Sequence, residues 1–178
     1  MEKNRQGLLH IYCGDGKGKT SAAVGMAVRA AGCGMKVLVI RFLKTENSGE
    51  VEVLRSIPGI TVTPCDRTFG FVFRMTEEQK QEAALYYQSR FEAAAKEAVQ
   101  GQYDLLILDE ILASCNYGMV RETSVVEFLK NRPEKLEVVL TGRNPSETFL
   151  ELADYVSEIC MRRHPYEKGI PARRGIEF

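Results

Sequence analysis

Residues 8–27 read LLHIYCGDGKGKTSAAVGMA, an apolar run followed by a glycine-rich stretch and then by an alanine-rich one. This order predicts a β-strand, a loop and an α-helix. Such a loop binds a phosphate chain because glycines let backbone N–H groups turn toward the phosphates, and the helix N-terminus is electropositive. Lys19 is placed to reach the outer phosphates and the Thr20 hydroxyl to bind Mg²⁺. The expected ATP-binding residues of the loop are Gly14, Asp15, Gly16, Lys17, Gly18, Lys19, Thr20 and Ser21.

Short apolar runs alternate with helix-like segments along the rest of the chain. This alternation predicts one α/β domain, residues 1–178, with a mostly parallel central sheet flanked by helices. One helix is expected to begin at Thr76, which opens a capping box, and to end at Gly101. Another is expected with Asn144 as its N-cap and Pro145 in the first helical position. The expected strands are Leu8–Cys13, Val37–Leu43, Ile60–Thr63, Leu105–Leu108, Glu137–Leu140 and Tyr155–Met161.

Charged side chains follow two of these strands. Asp109 and Glu110 end an apolar run, and because parallel strands end at one edge of a sheet, both are candidates for a Mg²⁺ site beside Thr20. A strand-end turn or a helix cap is the structural alternative for these acids. Arg143 follows another strand at the same edge, where an arginine can bind a terminal phosphate. Arg29 would do the same if it faces the pocket, although a surface position is commoner for such an arginine.

Residues 64–75 fit neither a strand nor a capped helix. They contain Phe69, Phe71 and Phe73 beside Gly70, which indicates a functional loop or a hydrophobic flap. Alternatively, the three aromatic rings anchor the loop to the core. The residues alone favour this alternative, because large aromatic side chains are mostly buried in folded proteins.

The charge pattern excludes a uniformly basic nucleic-acid-binding surface, because 24 basic and 24 acidic residues cancel. The distribution is uneven, with a net charge of +6 over residues 1–44, −9 over residues 45–161 and +3 over residues 162–178. Two positive ends that met in the fold would suit an anionic ligand. No nucleic-acid partner is expected.

Cysteine usage and hydropathy predict a cytoplasmic protein that has no membrane partner. The five cysteines are isolated, and neither a signal-like N-terminus nor an apolar run of membrane-spanning length is present. The two histidines, His10 and His164, complete no catalytic constellation. No protein nucleophile is therefore expected, and attack is left to a substrate.

Seven short motifs follow one another along nearly the whole chain: GDGKGKT at 14–20, RFLK at 41–44, GFVF at 70–73, LDE at 108–110, VVLTGR at 138–143, AD at 153–154 and ARRGIEF at 172–178. In this order they resemble the ATP:corrinoid adenosyltransferases of the CobA/BtuR/CobO type. The loop lacks the first glycine of the usual pattern G-x-x-x-x-G-K-S/T, since Cys13 stands in its place, and this shortening is also a trait of that family.

The resemblance implies a RecA-like P-loop fold, usually a homodimer, that uses ATP and a cobalamin- or cobinamide-type corrinoid. Such enzymes transfer the 5′-deoxyadenosyl group of ATP to the Co(I) of the reduced corrinoid and release triphosphate. Co(I) is then the nucleophile, and an electron donor such as a reduced flavoprotein supplies it. This agrees with the absence of a protein nucleophile.

The resemblance also assigns roles to residues by position. Gly16 to Ser21 hold phosphates, Thr20 and Glu110, with Asp109 beside them, bind Mg²⁺ or Mn²⁺, and Arg29 and Arg143 meet the phosphate tail. Phe71 and Phe73, with Phe69 nearby, match the aromatic residues that pack under the corrin ring and displace its lower ligand. This reverses the interpretation given above, in which the three aromatic rings anchor residues 64–75 to the core.

Two departures from the family concern residues 64–75, which we call the aromatic segment, and the N-terminus. Relatives often carry Trp where this chain has Phe73. Some also have an N-terminal helix over the partner's site, whereas only about seven residues precede the first strand here, so a more open pocket or another form of closure is expected.

Two other functions share the phosphate loop. One is a P-loop phosphotransferase or kinase, in which attack occurs at the γ-phosphate and ADP is the product. The other is a RecA-like regulatory ATPase. The sequence lacks a basic stripe with interleaved aromatic residues, which argues against this second function.

Overall fold

The computed structural model describes residues 6–70 and 72–177, and within them strands and helices alternate along the chain. The strands are β1 (Leu9–Cys13), β2 (Val37–Arg41), β3 (Ile60–Val62), β4 (Leu105–Asp109), β5 (Glu137–Thr141) and β6 (Tyr155–Glu158). The α-helices are α1 (Lys19–Gly32), α2 (Glu50–Ser56), α3 (Glu77–Gln100), α4 (Ile111–Asn116), α5 (Glu122–Asn131) and α6 (Glu147–Leu152). Two short 3₁₀ helices cover Val72–Arg74 and Pro165–Lys168.

The strands form one parallel sheet in the order β3-β2-β4-β5-β1-β6. Parallel neighbours require crossover connections, which the helices provide on both faces of the sheet. The predicted α/β architecture is therefore confirmed. Two strands are shorter than predicted by more than one residue: β2 ends at Arg41 rather than Leu43, and β6 ends at Glu158 rather than Met161.

Successive side chains of a strand point to opposite faces of the sheet, so the core has one part on each face. In β1, Leu9 and Ile11 pack against α3 and the helices that follow it. In β4, Leu105 and Ile107 pack against α1 and α2. Every residue of β2 and β4 is buried, as expected for strands covered on both faces.

Two predicted helix starts have different outcomes. The capping box at Thr76 is confirmed, because its hydroxyl accepts the Gln79 N–H while the Gln79 side chain accepts the Thr76 N–H. The prediction of Asn144 as a cap is wrong, because Ser146 caps α6 and its hydroxyl accepts the Phe149 N–H. Asn144 has a φ of 48°, and the following proline disfavours the α-region for it, so the chain turns before the helix begins.

All strands point the same way, so their carboxyl ends meet at one edge of the sheet. This edge carries Cys13, Arg41, Asp109 and Thr141, and the glycine-rich loop lies there. Across the described residues, no helix has both the length and the apolar character needed to cross a bilayer.

Candidate functional site

The glycine-rich loop closes tightly against the segment that follows β6. Gly14 has a φ of +101°, and a Cβ on it would lie 2.5 Å from the carbonyl oxygen of Ile159. The N–H of Gly16 donates to that same oxygen at 2.7 Å. Residues larger than glycine do not fit this approach, so Gly14 sets the path of the chain from β1 into the loop.

Lys19 is folded back into the loop that precedes it. Its side chain is buried, and Nζ donates to the carbonyl oxygens of Gly14 and Gly16 at 2.8 Å each. Burial and then the charge of Arg143 lower the pKa of the Lys19 ammonium. Lys17, in contrast, is exposed, with Nζ 3.6 Å from the Glu177 carboxylate. The predicted lysine thus lies at the centre of the loop.

Asp109 is the centre of the polar contacts at the end of β4. The carboxylate is buried and accepts hydrogen bonds from Thr20 at 3.0 Å and from Thr141 at 2.7 Å. Lys44 Nζ lies 2.5 Å from Asp109 and 2.8 Å from the Thr20 hydroxyl. The structure therefore brings together two predicted metal ligands, Thr20 and Asp109, and adds a lysine between them.

Glu110, the third predicted metal ligand, begins the turn into α4. Its φ is 63°, and its N–H donates to the Thr141 hydroxyl at 2.8 Å. Burial and then repulsion from Asp109 raise the pKa of the Glu110 carboxyl group. Within the described residues, no cluster of three His, Cys, Asp or Glu could hold a metal alone. The hydroxyl and carboxylate oxygens present fit Mg²⁺, which is commonly held by one or two carboxylates together with substrate phosphates and water.

Arg143 reaches the loop from β5, whereas Arg29 does not reach it from α1. Arg143 is exposed and donates to the Asp15 carbonyl oxygen at 3.4 Å. Asp15 in turn accepts the Met161 N–H at 2.8 Å, which lowers the pKa of its carboxyl group. Arg29 is exposed beside Tyr12 in a separate cavity of about 630 Å³. Nine residues of helix place it about 13 Å and half a turn from Thr20, so the structure does not bring it to the loop of its own chain.

Two cavities adjoin at this edge of the sheet. The smaller, of about 340 Å³, surrounds the phosphate loop, and the larger, of about 770 Å³, extends from Thr20 to Thr68 and Gly70 of the aromatic segment. Ile176 and Glu177 of the C-terminal segment border both cavities. The smaller cavity is lined by residues 15–21 with Lys44, Glu110, Arg143, His164, Ile176 and Glu177.

The predicted aromatic residues are placed differently from one another. The Phe69 ring is half-buried, with its centroid 5.5 Å from that of Tyr86 and 5.8 Å from that of Tyr87. Phe73 is 79% exposed, and the Arg74 guanidinium lies 5.5 Å from its centroid. Phe71 lies outside the described residues.

Three site features were missed by the sequence reasoning. Lys44 lies three residues past β2 at the carboxyl edge, and the strand-end argument applied to Arg143 could have found it. The sequence raised a meeting of the two positive ends and contains the motif ARRGIEF at 172–178, but it assigned no residue of this C-terminal segment to the contact with the loop. Arg90, on α3, donates to the carbonyl oxygens of Thr63 and Pro64 and so anchors the start of the aromatic segment, and no pattern marks it.

Two solved structures share the fold of this chain. The chain is similar to the KaiC-like protein PH0186 of Pyrococcus horikoshii OT3, with a TM-score of 0.50, 14% identity, and coverage of 89% of this chain and 75% of that one. It is also similar to the cytoplasmic domain of EssC, with a TM-score of 0.53, 14% identity, and coverage of 97% of this chain and 37% of that one. The predicted RecA-like P-loop fold is thereby confirmed.

Sequence comparison is more specific than the fold. The corrinoid adenosyltransferase of Pseudomonas aeruginosa is 32% identical over 99% of this chain and 86% of its own length. Those of Sinorhizobium sp and Escherichia coli K12 are 33% and 32% identical, over 98% and 99% of this chain and over 82% and 88% of their own lengths. The model of the family described as ATP:corrinoid adenosyltransferase BtuR/CobO/CobP matches residues 5–178. This chain is therefore a member of the ATP:corrinoid adenosyltransferase family.

Proposed function

We propose that the chain transfers the 5′-deoxyadenosyl group of ATP to the Co(I) of a reduced corrinoid and releases triphosphate. The observation that carries this proposal is the shared border of the two cavities, which both contact Thr20, Ser21 and Lys44. A nucleotide with its phosphates in the loop would extend its ribose into the larger cavity. The far wall of that cavity is the aromatic segment, where the second substrate would bind.

The reaction needs no nucleophile from the protein. The Co(I) electron pair forms a bond to the ribose 5′ carbon while the bond from that carbon to oxygen breaks, so cobalt becomes Co(III) and triphosphate leaves with the bonding electrons. The chain has to align the two reactants and stabilise the negative charge on the leaving group. The ammonium of Lys19 and the guanidinium of Arg143 lie at the loop where that charge develops. Arg29 could contribute only by a rearrangement or from another chain.

Mg²⁺, or Mn²⁺, is proposed to accompany the nucleotide. Thr20 and the buried Asp109 would hold it, and Glu110 lines the cavity of the loop together with Thr20. When bound, the metal neutralises negative charge on the phosphates. Because the protein supplies few ligands, the phosphates would complete the coordination.

The aromatic segment is proposed to pack under the corrin ring and to displace its lower ligand. Phe73 supports this role because its ring is 79% exposed and thus available to a flat apolar ligand. Loss of the lower ligand favours Co(I), which prefers four-coordination, so reduction of Co(II) becomes easier. The electron donor would be a protein such as a reduced flavoprotein.

A homodimer in the cytoplasm is the proposed form of the protein. All four residues of β6 are exposed, including Tyr155 and Val156, which are 52% and 49% exposed. An apolar edge strand of this kind is a liability unless it is covered, and a second copy would cover it. Analytical ultracentrifugation of the purified chain tests this directly.

The experiment for the proposed activity is an anaerobic assay with ATP, Mg²⁺ and chemically reduced corrinoid. A light-sensitive adenosylcorrinoid and one equivalent of triphosphate are expected. Omission of the corrinoid should abolish triphosphate formation. If corrinoid-independent ADP formation were the only activity, the chain would act as a phosphotransferase or ATPase and the proposal would be wrong. A panel of cobalamin and cobinamide then identifies the preferred substrate.

A further inference from the structure

Lys44 places a positive charge between the two side chains that would hold the metal. Its Nζ lies 2.5 Å from Oδ2 of Asp109 and 2.8 Å from Oγ1 of Thr20. The Asp109 side chain is 3% exposed and that of Lys44 is 21% exposed. The ammonium therefore satisfies a buried carboxylate and also uses the hydroxyl oxygen through which Thr20 would bind a metal.

The backbone before Lys44 is held in an unusual conformation. Leu43 has a φ of 53°, in the left-handed region that non-glycine residues rarely adopt. On the other side of Lys44, the buried Arg41 guanidinium donates to the Thr45 carbonyl oxygen at 2.9 Å. Strained backbone of this kind persists only where the surroundings enforce it, and it is concentrated at functional and switching segments. The backbone on both sides of Lys44 is thus held in place, and this holds the Lys44 side chain beside Asp109.

We infer that Lys44 is a tethered counter-cation, which occupies the metal position of the nucleotide-free site and is displaced when a divalent metal arrives with the nucleotide. This inference rests on the proposed use of a metal–nucleotide substrate. An ammonium and a divalent ion compete for these two oxygens, because an ion bound to both would lie close to Lys44 Nζ and the two positive charges would repel each other. Lys44 borders both cavities, so after displacement its ammonium remains beside the phosphates.

The exchange makes metal binding depend on the nucleotide. Without phosphates, a metal ion must expel the ammonium from the buried Asp109 carboxylate and gains only a few protein oxygens in return. With phosphates, the metal gains further oxygens and the ammonium gains new anionic partners. If the ammonium vacates the site in about 1–10% of nucleotide-free molecules, it weakens metal binding about tenfold to a hundredfold.

The test measures Mn²⁺ binding to the full chain without nucleotide, by the electron paramagnetic resonance signal of free Mn²⁺. Lys44→Met is expected to bind Mn²⁺ about tenfold to a hundredfold more tightly than the natural chain. Lys44→Gln, which keeps hydrogen-bond donors but loses the charge, should gain affinity as well. Lys96→Met is the matched control, because it removes an exposed lysine from the far end of α3. Addition of ATP should reduce the difference between Lys44→Met and the natural chain.

Unchanged or weaker Mn²⁺ binding by folded Lys44→Met and Lys44→Gln would overturn the inference. An equal gain in Lys96→Met would overturn it too, since the effect would then reflect net charge. Loss of the helical circular dichroism signal in both Lys44 variants would assign Lys44 a purely structural role, with the same result. The activity assay is independent of these outcomes: a gain in Mn²⁺ affinity without adenosyl transfer would reject the proposed function alone, and transfer without a gain would reject the exchange alone.

Discussion

Removal of the aromatic rings at positions 69 and 73, one at a time, tests the proposed corrinoid contact. Phe73 is 79% exposed, whereas Phe69 is half-buried against Tyr86 and Tyr87. A ring that serves the substrate and a ring that serves the fold should respond differently to replacement by alanine. We therefore expect Phe73→Ala to impair activity and Phe69→Ala to impair stability.

The magnitudes follow from this exposure. Burial of a Phe side chain is worth about 1.5–3 kcal/mol, and because each 1.4 kcal/mol is a factor of ten, Phe73→Ala should slow Co(II) activation about tenfold to a hundredfold. Its free energy of unfolding should change by less than about 0.5 kcal/mol. Phe69→Ala loses two aromatic contacts of about 0.5–1.5 kcal/mol each together with part of a buried ring, so its free energy of unfolding should fall by about 2–3 kcal/mol.

The assay compares adenosylcorrinoid formation from Co(II) corrinoid plus a reductant with formation from preformed Co(I). Phe73→Ala should lose much more activity in the first reaction than in the second, because displacement of the lower ligand matters only before reduction. Leu85→Ala is the control, since Leu85 is 76% exposed on α3. Equal losses of Phe73→Ala in the two reactions would refute the lower-face role, and so would equal effects of Phe73→Ala and Leu85→Ala.

Three further predictions concern the phosphate site. Lys19→Met should weaken ATP binding more than about tenfold in titration calorimetry, because charge-assisted bonds to the phosphates are lost. Gly142→Ala should lower the free energy of unfolding in urea by about 3 kcal/mol, since φ is +146° and a Cβ would lie 2.7 Å from that of Leu112. Glu110→Gln should stabilise the nucleotide-free chain near neutral pH while weakening metal binding, because it removes a buried charge that Asp109 repels. The pKa of Glu110 is raised in the folded state, so its ionisation costs stability as the pH rises from the ordinary range of a glutamate through the folded pKa, and urea titrations of the variant should lack this decline.

The sheet could be predicted from sequence because its strands are short apolar runs, and the continuous apolar runs of β2 and β4 indicate strands that are covered on both faces. The ends of the strands were harder to predict from the sequence. The apolar run continues past β2 through Phe42 and Leu43, but the chain leaves the sheet there because Leu43 adopts a left-handed conformation. That conformation depends on tertiary contacts, which apolar patterning does not record.

The Thr20–Asp109 pair could be predicted in part, because all parallel strands end at one edge of the sheet. The strand order, in which only β5 separates β4 from β1, then brings the two side chains together. Lys44 could not be placed with equal certainty, because its contact depends on the turn at Leu43. The position of Arg29, in contrast, could have been predicted from the sequence. Its separation from Thr20 along α1 follows from helix geometry alone, and the half-turn could have argued against a contact within one chain.

One partly buried polar cluster joins the segment that carries Lys44 to the segment that carries the aromatic residues. Arg41, 2% exposed, donates to Glu46 at 3.0 Å, and Glu46 accepts the N–H of Cys65 at the start of the aromatic segment. Arg90 donates to the carbonyl oxygens of Arg41 at 3.2 Å and Thr63 at 3.1 Å.

Stability alone does not account for this cluster. The desolvation of Arg41 offsets part of the gain from its ion pair with the partly exposed Glu46. In addition, Nε of Arg41 is buried with no hydrogen-bond partner among the described residues, which itself costs free energy. The cluster also has a geometric effect. Its hydrogen bonds join the segment that carries Lys44, at the proposed metal position, to the start of the aromatic segment, and so hold these two segments at a fixed distance. The segment that carries Lys44 and the aromatic segment both line the 770 Å³ cavity, which under the proposed function would hold the ribose and the corrinoid in contact. A cluster that gains little stability but sets this distance is what alignment of two substrates requires.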